Sequence, residues 1–273
     1  MRKLVEAWAA KTKTDVQLQL FDPFGTQADL VVAEEAQAGT GHDILTFSNY
    51  EVDTNASKLE PMDDVIQRLA GKYGKLNEMS EYMTNIEGSY RAVPTYWLNL
   101  LHACCTRIDL FRQYVSMDVQ TIFPASGQMG PGYERWTWDA FLAAAEKCAK
   151  AGHPFGLPIS NCADANNWVG AMFQSFGAEP VDARGNITIR SDKVRQAIEY
   201  GQRIAAFLTP DVYGWDNTSN NKALITGRSA LIVNPPSAWA VALRDNPPVG
   251  QQIWHHPMPA GPAGRFINGN LNA

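Results

Sequence analysis

The sequence predicts an α/β fold, a mainly parallel sheet with helices on its faces. Two observations carry that expectation. Short apolar runs with strand-like alternation recur between longer stretches of helical spacing. Several helical stretches also stop at glycine, the residue that takes a left-handed backbone without steric cost. The 45% hydrophobic and 19% charged residues can build a packed core, and 273 residues suffice for one large domain or two of ordinary size.

Residues 2–11 have amphipathic spacing, with Leu4, Val5, Ala7 and Trp8 on the inward face. Residues 15–21, DVQLQLF, alternate as a strand. Residues 27–39 follow as a helix that turns Ala28, Leu30, Val31, Val32 and Ala36 inward and stops at Gly39. HDILTFS at 42–48 is the next strand, with a polar tip at Ser48, Asn49 and Tyr50. LEPMDDVIQRLAGKYG at 59–74 gives another helix. Trp136 and Trp138 open the helix WTWDAFLAAAEKCAKAG and pack it. Residues 155–160 read as a short strand, and NCADANNW at 161–168 as a polar loop before a helix at 169–177. A turn, a short strand and a long helix then run to about residue 204.

The stretch 215–241, WDNTSNNKALITGRSALIVNPPSAWAV, is the most informative. Asn220 and Asn221 cap a short helix that ends at Gly227, and a β-run from Ser229 to Val233 delivers Asn234-Pro235-Pro236-Ser237. The Ser237 hydroxyl and free amides can cap a following helix that carries Trp239. Open α/β proteins bind ligands at such a strand-to-helix junction.

Composition narrows the function. A net charge of −5 with scattered Lys and Arg argues against a nucleic-acid partner. No run of 18 apolar residues is present to span a membrane as a helix. The N-terminal MRKLVEAWAAKTKT lacks the apolar core of a signal peptide, because Glu6 and Lys11 interrupt it. Cys104 and Cys105 lie in an apolar β-run as buried thiols, while Cys148 and Cys162 flank a helix-to-strand connection where a bridge is open. No CxxC or Cys/His spacing marks a metal site. His255 and His256, adjacent on a strand, point to opposite faces as a surface-and-core pair. No nucleophile elbow, phosphate loop or dinucleotide fingerprint is present, and no carboxylate pair is placed by a motif, so no catalytic residue, metal or cofactor is assigned.

In collinear order, GHDILTFS, LEPMDDVI, RAVPTYW at 91–97, RIDLF at 107–111, the WTWDAF helix and the 215–241 stretch resemble the extracellular solute-binding proteins. These are the sugar-capturing subunits of bacterial ABC importers. The resemblance covers some 250 residues, and within it Asp43 matches an Asp of a first-lobe strand. It implies a periplasmic-binding-protein-like (type II) fold of two lobes joined by hinge strands. The first lobe is expected at 1–98 with 252–273, and the second at 99–251. An initial strand, a secretion signal and the C-terminal part of the family pattern are expected to be missing, and the ending INGNLNA is not read as the family's continuation.

Sugar recognition needs hydroxyl-matching polar groups and an aromatic face. The expected ligand contacts are Ser48, Asn49, Tyr50, Tyr96, Trp97, Asn166, Asn167, Trp168, Trp215, Asn234, Ser237 and Trp239. The resemblance implies capture of a carbohydrate or polyol in the cleft between lobes, a periplasmic location and permease membrane subunits as partners. Two other readings are a carbohydrate-active enzyme using the same cleft and a truncated, non-functional homologue.

Overall fold

The computed structural model describes residues 2–20, 27–47, 51–94 and 100–270. Its chain divides into two compact units, residues 1–47 and 48–273.

The first unit holds α1 (Arg2–Thr12) and α2 (Gln27–Ala38). Both helices form where the spacing placed them, but the expected burial does not follow. No residue of α1 is buried: Leu4 and Trp8 are 66% and 53% exposed, and Leu30 of α2 is exposed as well. Residues 15–20 and 42–47, expected as strands, make no strand pairing among the described residues. Alternation supplies a strand's face but not its partner, and an unpaired segment leaves its backbone groups to water. Glu35 of α2 organises the approach to the second segment. It accepts the His42 amide at 2.9 Å and lies 2.6 Å from the His42 ring Nδ1. The amide bond holds the Glu35 carboxyl below its usual range.

The second unit begins with α3 (Glu51–Asn55), α4 (Asp63–Tyr73), α5 (Glu78–Thr84) and a hairpin of β1 (Asn85–Ile86) and β2 (Ser89–Tyr90). Asp63, at the start of α4, accepts the Ser89 hydroxyl at 2.9 Å and fastens the hairpin there. Then come β3 (Leu100–Leu101), β4 (Ala103–Arg107), α6 (Ile108–Leu110) with a π-turn at Phe111–Val115, α7 (Val119–Ile122) and α8 (Trp138–Lys150). Next are α9 (Ala163–Phe176), α10 (Asp192–Ala205), α11 (Ser219–Ile225), β5 (Leu231–Asn234), α12 (Ser237–Asp245) and α13 (Pro247–Gly250). The chain continues through β6 (Ile253–His256), the hairpin β7 (Ala260–Gly261) and β8 (Gly264–Arg265), and β9 (Gly269–Asn270).

The central sheet has the order β5-β4-β6, and β4 is antiparallel to both neighbours. The expected parallel direction survives between the two outer strands and in a parallel bridge from Gly156 to Ile232. The ladder pairs themselves are antiparallel because β4 runs away from the crossover segment at 100–102 while β5 and β6 run towards it. Gly156 is the whole of the strand expected at 155–160. An added Cβ there would lie 2.9 Å from Ile232 Cγ2 and from Ser229 Oγ, so only glycine admits the close approach. Ile253–His256, in the segment expected to return to the first lobe, pairs with β4 in this sheet.

The core lies between the sheet and α8, α9 and α10. Trp136, Trp138, Phe141, Phe155, Trp168 and Tyr200 are all buried in it. Their rings meet edge-on, as with Trp138 and Phe141 at 5.2 Å and Trp138 and Tyr200 at 5.5 Å. Thr137 caps α8 by accepting the Ala140 amide, and Ser191 caps α10 by accepting that of Val194. Gly177 ends α9 in the left-handed conformation. Cys104 and Cys105 are buried on β4 as expected, and burial raises both thiols. Cys148 and Cys162 are free rather than bridged, and burial pushes the Cys148 thiol up to about 12. No helix among the described residues is long and apolar enough to cross a membrane.

Candidate functional site

One end of the sheet gathers the polar residues. Asn234, the last residue of β5, lies opposite Ala103, the first of β4, and the C-terminal end of β6 reaches the same end. The crossover passes here too: β3 pairs with β9, and the His102 amide donates to the Asn268 carbonyl at 2.8 Å. Asn268 presses on α9 closely enough that a Cβ on Gly170 would lie 2.3 Å from its Nδ2.

Beneath this end lies a buried polar network centred on Asp164, in the first turn of α9. Its Oδ1 is 3.2 Å from His102 Nε2, and its Oδ2 accepts Asn220 Nδ2 at 2.8 Å. A carboxylate only accepts, so His102 Nε2 carries the proton. The 3.4 Å approach of Asn167 Nδ2 to that nitrogen therefore adds no second bond, and Asn167 donates instead to the Ala163 carbonyl at 2.9 Å. The Asp164 amide donates to Asn217 Oδ1 at 3.0 Å, which satisfies one of the open donors at this helix start. Asn220 also reaches the Val233 carbonyl at 3.4 Å, next to the end of β5. His102 Nδ1 is buried without a hydrogen-bond partner.

Of the expected contacts among the described residues, Asn166, in the first turn of α9, and Ser237 and Trp239, in the first turn of α12, are exposed. Ser237 is the first helical residue of α12 and does not cap it; its Oγ lies 3.3 Å from Asn234 Nδ2. Asn234 is buried and also donates to the Pro235 carbonyl at 3.1 Å. Trp239 is 38% exposed and meets the His255 ring edge-on at 6.2 Å. His256 on the same strand is buried, so the two histidines divide between faces as expected.

Two tryptophans depart from expectation. Trp168 was expected to stack on ligand from a loop, yet it sits within α9 at 1% exposure and donates Nε1 to the Pro158 carbonyl at 2.7 Å. The helix starts at Ala163 rather than 169, which turns this ring into the core. Trp215 packs with Val212 and Ala223 and lies under the Arg228 guanidinium, whose carbon is 5.9 Å from the ring centre. It borders a surface depression of about 320 Å³ that Asp211, Lys222 and Arg228 also line. Asn220 and Asn221 lie inside α11 rather than capping it, since Thr218 holds the N-cap position; Asn220 Nδ2 donates to Asp164, and Asn220 Oδ1 accepts the Asn221 amide at 2.7 Å. Ser48, Asn49, Tyr50, Tyr96 and Trp97 lie outside the described residues. His102 and Asp164 were not singled out from sequence; a lone His at the end of the apolar run LNLL was the available signal.

The structure superposes on solved solute-binding proteins. Maltose-bound T. maritima MalE3 gives a TM-score of 0.76 at 18% identity, over 99% of this chain and 67% of that one. An ABC transporter solute binding protein from Thermotoga lettingae bound with alpha-D-tagatose gives 0.79 at 17% identity, again over 99% and 67%. One from Agrobacterium vitis with bound D-mannitol gives 0.69 at 17% identity, over 100% and 64%. At such identities these likenesses establish the fold. A Deinococcus radiodurans protein named probable ABC transporter-binding protein is 30% identical over 105 residues, or 37% of this chain, and the match spans 24% of that relative's length. The family pattern of bacterial extracellular solute-binding proteins matches residues 3–271, so it takes in the INGNL ending that the sequence reading set aside. With that match across nearly its whole length, the chain belongs to the bacterial extracellular solute-binding protein family.

Proposed function

We propose that this chain captures a sugar or polyol as the substrate-binding component of a bacterial ABC importer. It works outside the cytoplasmic membrane, hands its solute to permease subunits and performs no chemistry on it. What supports this reading is that Asn166, Ser237 and Trp239 are exposed on segments joined through one buried polar network, and we read them as a rim at the carboxyl end of β5. A rim of this kind offers hydroxyl-binding groups beside an aromatic face, which is what a sugar ring requires. The liganded structural neighbours, with maltose, D-tagatose and D-mannitol, support the same solute class. Capture followed by closure about the crossover is a hinge motion driven by differential affinity.

The test is thermal melting and calorimetric titration with maltose, D-tagatose and D-mannitol. A true ligand at about 100 times its Kd stabilises the fold by about 2.7 kcal/mol. Ser237→Ala should weaken that binding by about 1 kcal/mol, the worth of one neutral hydrogen bond, with only a small drop in the melting point of the free protein, because Asn234 Nδ2 keeps the Pro235 carbonyl. Sugar recovered as hydrolysis product, or no shift with any of the three, would overturn the reading.

A further inference from the structure

We propose that Asp164 is the positioning residue of this rim, a role that rests on the solute-binding reading above. It ties together three segments distant in sequence. Its own turn of α9 carries Asn166, the crossover carries His102, and Asn220 of α11 leads to Val233 and the corner that carries Ser237. The chemistry at this position is specific. Two donors, His102 Nε2–H and Asn220 Nδ2–H, approach different oxygens of one buried side chain from opposite partners. Only a carboxylate accepts on both oxygens; an amide turns one of them into a donor. The buried setting penalises any donor left over, so a one-atom change should release one of the three segments. None of these atoms is exposed, so Asp164 acts on a solute only through the placement of its neighbours.

The experiment compares four full-length chains: wild type, Asp164→Asn, the reciprocal double variant Asp164→Asn with Asn220→Asp, and Ser175→Ala. The double variant reverses donor and acceptor across the 2.8 Å contact and keeps it paired, while Asn220→Asp removes the donor to the Val233 carbonyl. Ser175 donates a buried hydrogen bond to Ala171 at the far end of α9, so its variant reports a general loss of helix support. Two readouts are taken: hydrogen exchange at the His102 amide and at the Ala240 amide of α12, which donates to the Pro236 carbonyl at 3.0 Å, and affinity for maltose, D-tagatose and D-mannitol. Asp164→Asn should speed exchange at both amides by about tenfold and weaken binding of the recognised sugar by about tenfold, the scale of one charge-assisted hydrogen bond. The double variant should recover slow exchange at His102 but not at Ala240, since the donor to the Val233 carbonyl stays lost, and Ser175→Ala should move neither readout. Unchanged exchange in Asp164→Asn, or a double variant no better than the single one at the His102 amide, would overturn the proposal. Should wild type bind none of the three sugars, the solute reading fails while the exchange readout still decides the positioning role.

Discussion

Helices α1 and α8 show the same kind of sequence pattern and opposite fates. Each places a tryptophan and aliphatic residues on one helical face. In α8 that face is buried, with Trp138, Phe141, Leu142 and Cys148 against the core, whereas α1 buries no residue at all. Helical periodicity is a local property, set by 3.6 residues per turn. Burial is a non-local one, since it needs a second surface of matching shape. The difference shows that a tryptophan's position in a pattern says which way it points along its own helix, and nothing about what it meets.

The sharpest way to break this comparison is Trp168. Its ring is buried in α9 and its Nε1 is bonded, so truncation leaves a large cavity and an unpaired Pro158 carbonyl. Trp168→Ala should cost about 3–5 kcal/mol of unfolding free energy, read by urea denaturation. Trp168→Phe keeps most of the packing and should cost about 1–2 kcal/mol, mainly the lost hydrogen bond. A loss below about 1 kcal/mol for the alanine variant would mean the ring is not a core element and is free to meet ligand.

His256 gives a comparable effect that pH switches on. It stacks on Phe123 at 4.9 Å and meets the edge of Trp136 at 5.3 Å. Its Nδ1 donates to the Pro257 carbonyl at 3.2 Å, so Nε2 is the acceptor for the Thr106 hydroxyl at 2.8 Å. Burial pushes its pKa down to about 3, with the nearby His255 and Arg265 adding to the effect. The unfolded chain takes up this proton below about pH 6.5 and the folded chain does not. Stability therefore falls as pH falls through the window from 6.5 towards 3. Between pH 6.5 and 4 the loss is on the order of 3 kcal/mol, at about 1.4 kcal/mol per unit. His256→Gln should flatten the pH dependence of the melting point over that window relative to wild type, and parallel profiles would count against it. Asp211 and Asp216 act only below about pH 4, so the His256 comparison is read between about pH 6.5 and 4. The Thr209 bond, reinforced by Arg228, holds Asp211 at about 2, and the Ser219 bond, reinforced by Thr218, holds Asp216 at about 2. Their stabilising contributions are present above the unfolded carboxylate pKa and are lost only as pH falls from about 4 to 2.

The comparison also explains what was legible in the sequence. Helices α1, α2, α8 and α10 were read from spacing and stop signals, and the corner from β5 through Pro235-Pro236 into α12 from its prolines. These are local codes. The strands at 15–20 and 42–47 were read from alternation and are unpaired among the described residues, because pairing is not written in one segment. NCADANNW was read as a polar loop before the helix, and Asn and Asp are indeed weak helix formers. The structure overrides that propensity by giving Asp164 and Asn167 partners within the fold. The network under the rim was the least legible part. Asp164 meets His102 across 62 positions and Asn220 across 56, a juxtaposition that no spacing rule reaches.

The smallest effect belongs to the other end of the comparison. Trp8 is 53% exposed on a helix with no buried residue, so its removal creates no cavity and strands no polar group. Trp8→Ala should change unfolding free energy by no more than about 0.5 kcal/mol, the ordinary range for exposed positions. Alanine's higher helix propensity offsets part of whatever surface contact the ring makes. The measurement is the same denaturation curve used for Trp168, run side by side. A loss of about 3 kcal/mol, matching Trp168, would show that α1 packs its apolar face in solution and that the two helices differ less than their exposure implies.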